Sequence, residues 1–458
     1  MRRTMSVVLC LTFCLLAWPS LVAVGEEVAV TVYNENIGLV KDLREVSIPL
    51  GQSELDFKDV PSRIDPTSVH FVSKTAPGAV AILEQNYQYD LVSASKLLEK
   101  YVDNRVTVFT KQEKVFEGTL LSFDGQSLVL APEGKQGPVT VVSMEQVRDI
   151  SFPALPGGLI TKPTLVWKLL SEKSGKHNVE VSYLTEGLDW HAEYVAVSDA
   201  KDESVRLNGW VSVDNRSGAT YKDAKLKVVA GTIHRVTPPQ MMPRKAMPYE
   251  ADMMGAKAVG MEERPFFEYH LYSLPRTTTL ANNEVKQISL FPEVQANAKK
   301  VFTYDGQQHP TEVRITLELV NSEAEGLGMP LPEGKVRVYK EDMDKSLEFV
   351  GEDAIKHTAK DEKLRLYLGN AFDVVGERTE TSSRQITRTL REVTVEIKLR
   401  NHKAEAVDVT AVEHFWGDWK IVTSSHPPVK KDSRTAEFTV NVPKDKEVVV
   451  AYTVRIGY

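Results

Sequence analysis

Residues 393–400 read Val-Thr-Val-Glu-Ile-Lys-Leu-Arg, so that every second side chain is apolar. This period of two is typical of a β-strand with one face in a core. Residues 313–320 repeat it, with apolar side chains at 313, 315, 317 and 319. Such runs are separated by residue pairs that favour turns, among them Asp124-Gly125, Asn208-Gly209 and Asp305-Gly306. The sequence therefore predicts an all-β protein made of several β-sandwiches.

The composition places the chain among globular proteins. Of its 458 residues, 42% are hydrophobic and 26% charged, which argues against wholesale disorder and against a polytopic membrane protein. Lys and Arg number 56 against 63 for Asp and Glu, giving a formal net charge of -7. Because no basic excess is available to neutralise a phosphate backbone, no nucleic-acid partner is predicted.

The N-terminal residues predict export. Two arginines precede an apolar run from Met5 to Trp18, and small residues lead to a predicted signal-peptide cleavage after Gly25. The alternative is a membrane anchor, but the run is short for a span. Both cysteines, Cys10 and Cys14, lie in this segment, so the mature chain would have neither disulfides nor a thiol nucleophile. We expect an exported protein, periplasmic, surface-bound or secreted, without a transmembrane span after cleavage.

One helix and a small barrel are predicted near the N-terminus. Leu91, Leu98 and Tyr101 fall on one helical face, with Asp90 as the expected N-cap. Short strands are predicted after it at residues 105–110, 117–123, 127–130 and 139–143. This order resembles Sm-like and SH3-like barrels, but the Sm family's RNA-binding residues are matched only at Asp124, so no RNA site is expected.

The domain prediction follows from these elements. Residues 26–85 are too few for an independent core, so they should pack with the central sandwich. The predicted segments are a signal peptide (1–25), an N-terminal β segment (26–85), an inserted small barrel (86–156), the first part of a central sandwich (157–235), a Met/Pro-rich linker or mobile loop (236–265), the second part of that sandwich (266–390) and an immunoglobulin-like sandwich (391–458).

Several separated phrases occur in the order found in one exported bacterial family. They are Asn178–Tyr183, Gly187–Tyr194, Leu226–Gly231, Tyr269–Pro275, Leu327–Gly334 and Tyr367–Asn370. Over most of residues 160–458 the chain resembles the family catalogued as domain of unknown function 4139, which includes mucoidy-inhibitor-like proteins. The resemblance implies a β-rich exported protein and brings no catalytic residue, cofactor or substrate. Mucoidy-inhibitor-like proteins usually carry a coiled-coil insertion where this chain has the small barrel.

An aromatic corner at residues 414–419 is the candidate ligand contact. Trp416 and Trp419 could stack on sugar faces while Asp418 binds hydroxyls. The simpler interpretation is that the tryptophans fill the core of the terminal sandwich. Three other aromatic residues are predicted to be core residues: Trp190, Tyr194 and Trp210.

The methionine-rich segment allows a second hypothesis. Thioether sulfurs suit Cu(I), and the candidate ligands are Met241, Met242, Met253, Met254, Met261 and His234. The simpler interpretation is a flexible apolar contact to a partner.

No common nucleophile, phosphate-loop or dinucleotide motif occurs, so no catalytic residue or cofactor is predicted. The expected function is binding or scaffolding in the bacterial cell envelope, with a protein or glycan partner. The alternatives are an envelope glycan hydrolase with a carboxylate pair and a periplasmic Cu(I)-binding protein.

Overall fold

The computed structural model of the protein describes residues 27–134, 136–157, 159–231, 233, 261–266, 269–342 and 344–457. Strands make up 67% of it and helices 4%, which confirms the predicted all-β multidomain class. None of the helices in these ranges has the length and apolarity that crossing a membrane requires. The predicted signal peptide lies outside the described residues.

The strands follow in chain order. The first fifteen are β1 (Glu27–Tyr33), β2 (Ile37–Ile48), β3 (Gly51–Lys58), β4 (His70–Ser73), β5 (Val80–Gln88), β6 (Arg105–Thr110), β7 (Val115–Phe123), β8 (Ser127–Ala131), β9 (Thr140–Ser143), β10 (Val147–Ser151), β11 (Thr164–Ser171), β12 (Gly175–Glu186), β13 (Leu188–Ser198), β14 (Ser204–Asn215) and β15 (Tyr221–Ala230). An α-helix, α1 (Ala94–Tyr101), precedes β6. The later strands are β16 (Glu262–Phe266), β17 (Tyr269–Leu280), β18 (Glu284–Tyr304), β19 (Glu312–Val320), β20 (Gly334–Glu341), β21 (Leu347–Ile355), β22 (Lys363–Thr387), β23 (Leu390–Asn401), β24 (Val407–His414), β25 (Asp418–Ser424), β26 (Val429–Lys430), β27 (Thr435–Val442) and β28 (Lys446–Gly457).

The N-terminal strands belong to the central sandwich. In a sheet whose described strands run β16-β17-β15-β1-β2-β12-β4, β1 pairs in parallel with β15 and β2 pairs with β12. Their inward side chains, such as Val30 and Val40, share one core with Val181 of β12 and Trp190 of β13. The three-stranded sheet β3-β11-β5 adds Trp167 to the same core. Residues 27–88 therefore have no separate core.

The small barrel is inserted between two neighbouring strands. β5 and β11 are antiparallel partners, and Gln88 lies opposite Thr164, where the chain leaves and returns. Between them, α1 precedes five described strands in the order β10-β6-β7-β8-β9, which enclose their own core around Val108 and Leu120. Two strongly bent strands, β7 and β8, pair with a register shift at residues 120–122.

The N-cap of α1 is Ser93 and not the expected Asp90. Ser93 has extended backbone angles, and its side chain accepts a hydrogen bond from the backbone N–H of Lys96. Asp90 lies too early in the chain to cap the helix. Its carboxylate instead lies 3.7 Å from Nζ of Lys96 and 3.8 Å from Nζ of Lys100.

The C-terminal sandwich has a second core that begins before the predicted boundary at residue 391. Phe302 at the end of β18 and Val313 on β19 are already part of it. β18 pairs with β14 along its first part and with β19 and β24 along its last part. β22 pairs first with β19 and then with β23. Residue 391 falls just after the β22–β23 hairpin turn, and both long strands supply side chains to two cores.

The Asn208-Gly209 pair is not the turn that its sequence predicts. It lies within β14, and the ring of Phe291 covers Gly209. A Cβ at this position would come within 2.6 Å of Cε1 of Phe291. The glycine is therefore explained by the close approach of a neighbouring aromatic ring.

Replacing residues 90–161 with a short Gly-Ser turn should leave the two sandwiches folded, because β5 and β11 would become a simple hairpin. We expect the midpoint of their thermal unfolding to change by less than about 4 °C, as measured by differential scanning calorimetry. The matched control is deletion of residues 27–48, which removes β1 and β2 from the middle of a sheet and should abolish the cooperative transition. Loss of that transition in the first variant would contradict the insertion.

Candidate ligand-binding end of the C-terminal sandwich

Three loops meet at one end of the C-terminal sandwich. They are residues 305–311 between β18 and β19, residues 415–417 between β24 and β25, and residues 431–434 between β26 and β27, and we call them the loop end. The backbone N–H of Phe415 donates to the carbonyl oxygen of Arg434 at 2.7 Å. Nε2 of Gln307 donates to the carbonyl oxygen of His414 at 3.1 Å. These bonds join the three loops directly or through the end of β24.

The sequence-predicted contact residues have different surroundings at the loop end. Trp416 is 66% exposed, and the guanidinium carbon of Arg434 lies 5.1 Å from the centre of its ring. Asp418 is exposed at the start of β25.

Trp419 is packed into the rim of the second core. Its ring lies 4.8 Å from that of Phe415, and its indole N–H donates to the carbonyl oxygen of Ser433 at 2.7 Å. Nζ of Lys430 lies 4.6 Å from the centre of the same ring. Trp416 therefore offers a ring to a ligand, whereas Trp419 contributes to the packing that holds the corner in place.

A buried charged group lies directly beneath these loops. The side chain of Glu413 on β24 is 0% exposed, and Nε of Arg378 on β22 lies 2.9 Å from its Oε1. Oε2 of Glu413 accepts hydrogen bonds from Nη2 of Arg378 at 3.0 Å, from the hydroxyl of Tyr452 at 2.5 Å and from Nε2 of Gln307 at 3.1 Å. Glu413 therefore connects β24 to β22 and β28 across the sandwich, and to the first loop of the loop end.

Burial and hydrogen bonding also shift the pKa values of this group. Burial, followed by the charge and hydrogen bond of Glu413, raises the pKa of Tyr452 well above its ordinary value of 10.0. Burial would lower the pKa of Arg378, but its hydrogen bonds to Glu413 and the charge of that residue outweigh this effect and raise it. Arg378 and Tyr452 therefore stay protonated donors around the Glu413 carboxylate.

A hydrogen-bonded contact between a histidine and an aspartate continues the network towards the surface. Nε2 of His414 lies 2.9 Å from Oδ2 of Asp305, in the first loop. Asp305 also accepts hydrogen bonds from the backbone N–H groups of Gln307 and Gln308. The loop end is thus fixed by side chains both below and within it.

Glu413 is not among the sequence-predicted site residues, although the sequence carries a signal for it. Val407, Val409 and Ala411 mark the inward face of β24, and the same period of two places residue 413 on that face. A carboxylate at an inward position requires a buried partner. The sequence could not show which of its many Arg, Lys and Tyr residues supplies it, since Arg378 and Tyr452 lie on distant strands.

The Cu(I) candidates are only partly within the described residues. The side chain of Met261 is buried in the first core, so its thioether is surrounded by apolar groups. His234, Met241, Met242, Met253 and Met254 lie outside the described ranges. In the part of the chain that the structure describes, no group of three or more His, Cys, Asp or Glu side chains could hold a metal ion. The predicted linker also ends earlier than expected, since β16 begins at Glu262.

The predicted core aromatics are confirmed at two of three positions. Trp190 and Tyr194 are buried in the first core. The prediction for Trp210 is wrong, because this side chain is 37% exposed. Trp210 alternates with the inward residues Gly209 and Val211 of β14, so it points to the outer face of its sheet.

Comparison of the chain with models of known protein families and with curated proteins found no match.

Arg378→Met should lower the free energy of unfolding by about 3–5 kcal/mol, because it leaves the Glu413 carboxylate buried without its charged partner. The double variant Arg378→Met/Glu413→Leu should recover most of this loss. Urea unfolding of both variants measures the difference. The matched control is Arg400→Met, which removes the half-exposed pairs with Glu377 and Glu447 and should cost less than about 1 kcal/mol. A double variant no more stable than Arg378→Met would contradict this account.

The raised pKa of Tyr452 predicts a loss of stability in alkali. The unfolded chain releases this proton near the ordinary value of 10.0, whereas the folded protein retains it to higher pH. The contribution of the protonated Tyr452 hydroxyl to the free energy of unfolding is therefore complete below about pH 10. It is lost as the pH rises through the folded-state pKa of Tyr452. Tyr452→Phe should make the decline of the free energy of unfolding above pH 10 shallower by up to about 1.4 kcal/mol per pH unit, as measured by urea unfolding between about pH 9 and 11. Equal slopes for variant and wild type would refute the assignment.

Proposed function

We propose that the protein is an exported, non-catalytic β-sandwich protein that binds or scaffolds a partner in the bacterial cell envelope, with the loop end as its contact surface. The observation that carries this proposal is the exposed ring of Trp416, held above a closed network of buried hydrogen bonds. The signal-like first 25 residues and the resemblance to the exported family catalogued as domain of unknown function 4139 support the compartment.

The turn that carries Trp416 is conformationally restricted. Gly417 has a φ of 83°, and a Cβ there would collide with the carbonyl oxygen of Gly457. A ring on such a turn loses little conformational entropy when a partner binds. Tryptophan and arginine are also the residues that most often carry the binding energy of protein interfaces, which suits Trp416 beside Arg434.

The chemistry of the loop end favours binding over hydrolysis. A glycosidase needs one carboxyl group that releases a proton and a second that acts as base or nucleophile. Glu413, the buried carboxylate of this end, accepts hydrogen bonds from Arg378, Tyr452 and Gln307. These donors occupy both of its oxygens, so it is suited to holding the sandwich together.

A photo-cross-linking amino acid at position 416 tests the contact surface in intact producing cells. We expect a reproducible covalent adduct, identified by mass spectrometry as a protein or a glycan, whose yield falls at least about fivefold when Arg434→Ala is added. The matched control carries the same probe at Phe372, an aromatic residue of β22 that is 94% exposed and is not part of the three loops. No adduct at 416, or the same adducts from 416 and 372, would count against the proposal.

A further inference from the structure

The outer face of the large sheet carries a second exposed tryptophan. Trp210 lies on β14 between Glu193 of β13 and Ser289 of β18, which are its neighbours across the strands. Along β14, Asn208 and Ser212 share its face. The opposite face of the same strands contributes to the first core, so this side of the sheet is open to solvent at Trp210.

The carboxylate of Glu193 is held in place beside that ring. It accepts hydrogen bonds from Oγ of Ser212 at 3.0 Å and from Nε2 of Gln287 at 2.7 Å. Nη1 of Arg337 lies 3.5 Å from the other carboxylate oxygen. Gln287 also donates to Ser212 at 3.2 Å, which fixes the donors relative to one another.

The charge of this cluster is balanced. Burial raises the pKa of Glu193, but the hydrogen bond from Ser212 and the charge of Arg337 outweigh it, so that the pKa is lowered and the carboxylate is ionised at neutral pH. Arg337 supplies the opposite charge and also lies 3.5 Å from Glu352. Paired charges of this kind leave no strong field to attract an ion.

Asn208 provides an acceptor without a donor. Its Oδ1 is buried and accepts no hydrogen bond from any described residue. A buried amide oxygen in this state has lost its water without gaining a partner, which is unfavourable. Because this oxygen is covered by the protein, a ligand on this face does not contact it.

We infer that the Trp210 face, made of Trp210, Asn208, Glu193, Ser212, Gln287 and Arg337, binds a neutral pyranose-containing glycan. The C–H face of a pyranose packs against an indole ring, and its hydroxyl groups both donate and accept hydrogen bonds. The Trp210 face presents both kinds of partner: an acceptor in Glu193 and a donor in Arg337. A phosphate or nucleotide would meet the ionised Glu193 and be repelled.

The Trp210 face is separate from the loop end, so glycan binding there does not depend on the proposed function. Trp210 and Trp416 lie in different units, one on the outer face of the central sandwich and one at the end of the C-terminal sandwich. The two proposals can therefore fail separately.

Isothermal titration calorimetry of the purified protein with maltotetraose, cellotetraose and chitotetraose tests the inference. We expect at least one of these neutral tetrasaccharides to bind with a dissociation constant of about 0.1–5 mM, given the shallow site. Trp210→Ala should weaken this binding at least about tenfold, and Glu193→Gln, which preserves the size of the side chain, should weaken it about threefold or more. Phe372→Ala, at an exposed aromatic residue that belongs to neither surface, should bind as the wild type does.

Three results would overturn the inference. The first is no binding of any of the three sugars by the wild type at about 10 mM ligand. The second is wild-type affinity in both Trp210→Ala and Glu193→Gln. The third is an equal loss of affinity in Phe372→Ala. Circular dichroism of each variant checks its fold, and Glu193→Gln keeps the test decisive if Trp210→Ala fails to fold.

Discussion

Two long strands are the constraint on which the arrangement of both sandwiches depends. β18 and β22 each pair with one neighbour along their first part and with another along their last part, and each supplies side chains to both cores. A shift of one residue in either strand would turn its apolar side chains from core to solvent in both units at once. The contact between Arg378 on β22 and Glu413 on β24 fixes one such register, because a slipped strand would leave the carboxylate buried and unpaired.

Strands could be predicted from the sequence where one face of the strand is buried and the other is exposed to solvent. The alternation at residues 393–400 appears in β23 with Val393, Val395, Ile397 and Leu399 buried, and the first barrel strand has the predicted bounds, Arg105–Thr110. A period of two does not tell which of two faces is covered. Trp210 was therefore assigned to the core although it lies on the outer face of its strand. Whether an inward carboxylate such as Glu413 finds a partner depends on strands far apart in sequence.

The two exposed tryptophans differ in what surrounds them, and this difference separates the two binding proposals. Trp416 stands on a tight turn beside Arg434, above hydrogen bonds that join three loops. Trp210 lies on a flat sheet among side chains that already bond to one another. A turn at the end of a sandwich suits a projecting contact with a macromolecule, and a flat face with balanced charges suits a small uncharged ligand.

The position of the small barrel also has a consequence for how the chain folds. Gln88 and Thr164 are opposite each other in the β5–β11 pair, yet residues 89–163 separate them in the chain. Joining such distant strands directly carries a large loop-closure entropy and slows folding. If the barrel forms first around its own core, it brings its two ends together and shortens the effective loop to a few residues. The insertion would then act as a folding nucleus that lowers the contact order of the sheet built around it.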